Sequence, residues 1–191
     1  MIKSEFQLGL EKSAKDHQHI LDEGVTDPWQ GTVFANYKLN GNKQKGSYGE
    51  VILADMFDKM GCEVEPPLET GHDRIVEGKK LEIKFSLACT KKGQIQNDSF
   101  VMNHASVGKD WEYLLFVGVN DFRLGIEARR MILTKSKFIE IMQDENQPYF
   151  KHQQGGAKGG NDDWMCSGKN LINLIESDHV DPWENWKEVI S

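Results

Sequence analysis

An unbroken apolar run, Tyr113-Leu114-Leu115-Phe116-Val117-Gly118-Val119, predicts a central strand covered on both faces. Upstream, Ile75-Val76 and Leu81 to Phe85 are shorter apolar-rich runs separated by Glu77-Gly78, a pair suited to a tight hairpin turn with glycine at positive φ. Helical spacing takes over in Val51, Ile52, Met56, Phe57 and Met60, which predicts a helix from Ser47 to about Gly61. Residues 4–22 also read as helix, and Thr26 to Gly46 as irregular or a short strand. Cys62 to Glu65 forms a short strand that Pro66-Pro67 ends. Arg130 to Leu133 is a further strand, with helices expected at Ser136 to Met142 and Leu171 to Ile175. Residues 86–110 are polar, and residues 153–170 are an extended stretch of low hydrophobicity. This order of elements fits an α/β sandwich with a central mixed β-sheet flanked by helices.

Composition changes this picture little. A chain of 191 residues suits a single domain spanning 1–191, and 38% hydrophobic with 28% charged residues is ordinary for a soluble protein. No run is long enough to span a bilayer, and Met1 to Phe6 lacks the apolar core of a signal peptide. Cys62, Cys89 and Cys166 are odd in number and widely spaced, which disfavours a disulfide framework or zinc site and fits a reducing cytoplasm.

Charge weighs more heavily. A net charge of −7 argues against a nucleic-acid partner, but its distribution is uneven. Lys38, Lys43 and Lys45 stand together without an acid, and Lys79, Lys80, Lys84, Lys91 and Lys92 have only Glu82 among them. The acids gather toward the C-terminus, at Glu176, Asp178, Asp181, Glu184 and Glu188. A basic zone of this kind can still guide a phosphate backbone.

The candidate chemistry lies in the hairpin. With Glu77-Gly78 as a two-residue loop, 76 pairs with 79, 75 with 80, 74 with 81, and Asp73 falls opposite Glu82. Like charges in that arrangement destabilise a sheet unless something positive lies between them. Lys84, two residues beyond Glu82, projects to the same face, while Leu81, Ile83 and Phe85 point into a core. An outward-facing Asp, Glu and Lys cluster suits a divalent metal beside a cation; the bland alternative is a hairpin with solvated surface charges.

Asp73, Glu82-Ile83-Lys84 and an upstream helical Glu50 resemble the PD-(D/E)XK nuclease superfamily, which includes the type II restriction endonucleases. Asp73 follows His72 here, not proline, and the resemblance covers roughly residues 45–135 as the catalytic core. It implies a restriction-endonuclease-like sandwich that hydrolyses double-stranded DNA with one or two Mg²⁺, Mn²⁺ being a substitute. Asp73 and Glu82 would hold the metal, the Ile83 carbonyl would be a third ligand, and Lys84 would orient water or stabilise developing charge. Glu50 has two readings, as a further metal-site group or as half of a Ser47–Glu50 capping box. Alternatives on the same fold are a repair, recombination or phage nuclease, or a non-catalytic nucleic-acid-binding protein. The intact Asp73, Glu82 and Lys84 set disfavours the last.

Side chains able to reach DNA follow the catalytic strand: Lys91, Lys92, Gln94, Gln96, Asn97, Asn103 and His104. For each residue alone an ordinary polar loop or helix start is the better reading, and His104 is more often a structural histidine than a general base; together their place after the catalytic strand favours a substrate-facing role. Lys158, within Gly155 to Gly160, can approach a phosphate or sit in a plain flexible loop; residues 150–191 supply DNA-contact and oligomer surfaces in this scheme. Cutting both strands calls for two sites and thus a homodimer, with Trp29, Trp183 and Trp186 as candidate contacts or, alternatively, as core residues.

Overall fold

The computed structural model describes residues 5–16, 27–152 and 162–190. Its centre is a five-stranded mixed sheet in the order β1-β2-β3-β7-β8. These strands are β1 (Val64–Glu65), β2 (Arg74–Val76), β3 (Lys79–Leu87), β7 (Tyr113–Val119) and β8 (Arg129–Thr134). The β2–β3 hairpin pairs Arg74 with Leu81, Ile75 with Lys80 and Val76 with Lys79. That register follows from its turn: Glu77 at φ 51° and Gly78 at φ 74° are both left-handed, the mirror-type turn that matches strand twist. Beyond the hairpin, β3 runs parallel to β7, and β7 antiparallel to β8.

Side chains alternate across this sheet into two cores. Leu81, Ile83, Leu115, Val117 and Ile132 face Leu53 and Phe57 of helix α2 (Asn42–Lys59) and Trp186 and Ile190 near the C-terminus. Leu114, Phe116, Met131 and Leu133 face the other way, toward Phe138 and Ile141 of α3 (Lys135–Gln143) and Leu171 and Leu174 of α4 (Gly168–Ile175). Helix α1 (Glu5–Asp16) places Leu10 in this second core, and α5 (Trp186–Val189) is the last helix of the described residues. Every fully buried Leu or Phe in these layers contributes about 1.5–3 kcal/mol relative to exposure. Among the described residues, no helix is long and apolar enough to cross a membrane.

Three local expectations change. Helix α2 starts at Asn42, not Ser47: the Gln44 side-chain oxygen accepts from the Gly41 N–H at 3.1 Å. Asn42, Lys43 and Gln44 are exposed, so the first turn carries no apolar signal. Residues 86–110 hold a small hairpin, β4 (Thr90–Lys91) with β5 (Gln94–Ile95), and the strand β6 (Val101–Ala105). Within 153–170, Trp164–Ser167 forms β10, which joins β6 and β9 (Lys151–His152) in a second sheet. Its pairing with β6 shifts register between Trp164 and Cys166.

The tryptophans serve the monomer's core. Trp29 is fully buried against Phe34 at 5.8 Å, and Trp186 packs on Phe57 at 5.1 Å. Neither ring is therefore a free contact surface for a second copy. Trp183, partly buried, stacks on Trp186 beneath Arg130.

Candidate active site

A cleft of about 340 Å³ opens between the first half of α2, strand β3 and strand β6. Glu50, Asp73, Glu82, Ile83 and Lys84 line it, together with Asn103, His104 and Lys109. Glu82 and Lys84 pair across the parallel ladder with Leu114 and Phe116, and so lie on the face that β6 partly covers. Asp73 sits one residue ahead of β2, and its N–H donates to the Leu81 carbonyl at 2.8 Å. Its side chain turns inward, where Oδ2 accepts the Ile83 N–H at 2.7 Å.

Glu82 is not an outward-facing surface charge. It is 1% exposed, and Oε1 accepts from both Lys84 Nζ and Lys109 Nζ at 2.7 Å. A buried carboxylate needs such partners, because leaving water without them costs several kcal/mol. Its second oxygen, Oε2, is buried with no hydrogen-bond partner. Lys109 has no signature in the sequence; it reaches Glu82 from 27 positions away, out of the loop before β7.

Glu50 lies in the third turn of α2, well past the helix start, so the capping-box reading fails. It pairs with Arg74 Nη1 at 3.3 Å, and the same nitrogen donates to the Asp73 carbonyl at 2.5 Å. Burial, and then the neighbouring Asp73 charge, hold the Glu50 carboxyl above its usual range, against the opposing pull of Arg74. Asp73 is also raised, first by burial and next by the Glu82 charge, while the Ile83 N–H and the two lysines oppose the shift. Two carboxyls are thus held against their own ionisation, first by burial and then by neighbouring carboxylate charges. Burial lowers Lys38 and Lys45, which line the cleft from the α2 side.

The polar segment after β3 divides. Asn103 and His104 border the cleft: Asn103 Oδ1 is buried without a partner, and His104, at φ 58°, places Nδ1 3.0 Å from Asp163 Oδ2. Lys91, Lys92 and Gln94 belong to the β4–β5 hairpin, exposed and outside the cleft lining, and Gln96 is exposed beyond it. Asn97 is committed to structure, since its side-chain oxygen accepts the Asp121 N–H at 2.8 Å. Lys158 lies outside the described residues.

Among the described residues, no three His, Cys, Asp or Glu side chains converge closely enough to form a complete metal cage. Asp73 and Glu82 beside an open cleft instead suit Mg²⁺, which keeps several waters and uses one or two carboxylates. The partnerless Glu82 Oε2 and the crowded Asp73 carboxyl fit that donor set.

No protein-family model matches the chain, and no curated protein matches it. A solved structure of the bacterial homing endonuclease I-Ssp6803I aligns at 21% identity and a TM-score of 0.37, covering 52% of this chain and 70% of that one. So slight a likeness bears no functional weight.

Proposed function

We propose that this chain is a Mg²⁺-dependent endonuclease of the PD-(D/E)XK type, cutting double-stranded DNA in the manner of a type II restriction enzyme. The observation that carries this reading is the meeting of Asp73, Glu82, Lys84 and Glu50 in one cleft. Crowding acids in this way costs stability, and a divalent cation relieves the cost. Lys38, Lys45, Lys84 and Lys109 line the same cleft and suit a phosphate backbone, despite the net charge of −7.

Asp73 and Glu82 would hold the ion, with the Ile83 carbonyl as a further ligand. When bound, Mg²⁺ supplies charge neutralisation at the phosphate and a readily ionised water. The Asp73 carboxylate is oriented by the Ile83 N–H, which fixes its approach to the cleft. Lys84 presents its ammonium against Glu82 and within electrostatic reach of Asp73, where it would orient the attacking water or stabilise charge developing on the phosphate. Arg74 ties Glu50 to the Asp73 backbone and keeps α2 in step with the hairpin. Asn103, with its unpartnered oxygen, and His104 lie where the substrate would pass.

The described residues hold one such cluster per chain, so cutting both strands calls for a homodimer with two sites. The free thiols of Cys62, Cys89 and Cys166 are in keeping with a cytoplasmic location. Supercoiled plasmid incubated with Mg²⁺, Mn²⁺ or EDTA tests the reading, with the product ends sequenced. Expected are linear products with defined ends, formed only with metal and lost in Asp73→Asn. Failure to cut duplex DNA with either metal, or cutting that survives Asp73→Asn, would overturn it.

A further inference from the structure

Lys109 reaches Glu82 from a loop, not from the β2–β3 hairpin that carries Asp73, Glu82 and Lys84 or from the helix that carries Glu50. The loop backbone is held at several points. Asp162 Oδ2 accepts from Ser106 Oγ at 2.7 Å and from the Gly108 N–H. The buried Trp111 donates its indole N–H to the Ser106 carbonyl at 2.7 Å, and Lys135 Nζ donates to the Lys109 carbonyl at 2.6 Å. Yet the Lys109 side chain itself is 41% exposed, against 15% for Lys84. Its stem can therefore swing into solvent, while Lys84 is confined to the strand two residues from Glu82.

Both ammoniums meet on one oxygen, Oε1, and Oε2 has no partner. Two like charges on a single oxygen repel each other, and a divalent cation approaching Glu82 would be repelled by both. Lys109 is the one of this pair with room to withdraw. Resting on the nuclease reading, we infer that Lys109 is an exchangeable counter-cation: it neutralises Glu82 in the absence of a divalent ion and turns to a DNA phosphate once that ion is bound. A flexible, strongly hydrated point charge on a four-carbon stem suits such an exchange. Substrate and metal would then be coupled, because the ammonium displaced by one is offered to the other.

Titration calorimetry with Ca²⁺ alone, on the full chain, tests the first half. Lys109→Gln keeps most of the stem and removes the charge; it should bind Ca²⁺ about fivefold more tightly, as expected for relief of one partly screened ion pair. Lys109→Met gives an independent reading of the same charge removal, and Lys109→Arg should stay near wild type. Anisotropy of a short labelled duplex in Ca²⁺, across a salt series, tests the second half. The slope of log affinity against log salt should fall by about one in Lys109→Gln and be kept in Lys109→Arg. Unchanged or weaker Ca²⁺ binding in the Gln and Met variants would overturn the exchange, since a lysine that only builds the site would give that result. An unchanged salt slope would overturn it equally. If wild type binds Ca²⁺ while the variants do not differ from it, the exchange alone fails. If wild type binds no Ca²⁺ and matches Asp73→Asn, the metal-dependent reading fails and takes the exchange with it.

Discussion

Gly49 sets how closely helix α2 approaches the candidate catalytic strand, and Gly49→Ala measures that constraint. A Cβ there would lie 2.4 Å from Phe85 Cβ and 3.0 Å from Phe85 Cγ. The nearer atom is fixed by the β3 backbone, so no rotation of the phenyl ring relieves the contact; helix or strand must move. Alanine gains about 1 kcal/mol over glycine within a helix. Overpacking costs about 1–3 kcal/mol, and a contact this short belongs at the upper end. The expected net loss is about 1–2 kcal/mol, or roughly 2–8 °C in melting temperature for a chain of this size. Gly46→Ala, in the same helix with nothing within 4 Å of its Cβ, provides the control and should gain up to about 1 kcal/mol. Urea unfolding followed by tryptophan fluorescence would give both values, with equal slopes confirming comparable unfolded states. Since Glu50 is the next residue, a displaced helix should also weaken cleavage beyond the loss of stability. A Gly49→Ala variant as stable as wild type would refute the packing argument. Rescue by Phe85→Ala, which keeps the offending Cβ, would show that the ring was the obstruction.

Other variants test separate links. Asp73→Asn should raise the melting temperature near neutral pH. A carboxyl whose folded-state pKa is raised stabilises the fold at low pH and loses that contribution as pH climbs through its range, so the advantage of Asn should shrink on acidification; a destabilised variant at neutral pH would count against the crowding argument. Asp98 has the opposite sign: Arg129, then Asn120, hold its carboxyl low, so its stabilisation is present above the ordinary carboxylate range and lost as pH falls through the lowered value. Melts of Asp98→Asn against pH should show a flatter acid limb than wild type. Lys84→Ala should abolish cleavage yet retain duplex binding in Ca²⁺, because its role belongs to the transition state; equal loss of both, by anisotropy and plasmid assay, would make it a binding residue. Phe57→Ala, which empties a fully buried site against Trp186, should cost about 3–5 kcal/mol in urea unfolding.

Local chemistry in the sequence determined the hairpin and its consequences. Glu77-Gly78 admits a two-residue turn, the turn fixes the register, and the register brings Asp73, Glu82 and Lys84 together. The apolar run at 113–119 likewise declared a strand buried on both faces, because its consecutive positions from Leu114 to Gly118 had to leave water. Signals of this kind act over a few residues, and their physics is complete within the segment. What needed the tertiary structure depends on contacts between distant segments. Glu82 is buried only because β6 covers its face and Lys109 arrives from the loop before β7. Glu50 was ambiguous until Gln44 and Gly41 placed the helix start upstream in a polar turn without periodicity. Trp164–Ser167 became a strand by pairing with β6, some sixty positions earlier in the chain, through a ladder whose irregular register no local pattern encodes. Trp29 and Trp186 were equally suited to an interface or a core by composition; the rings of Phe34 and Phe57 packed against them decided for the core.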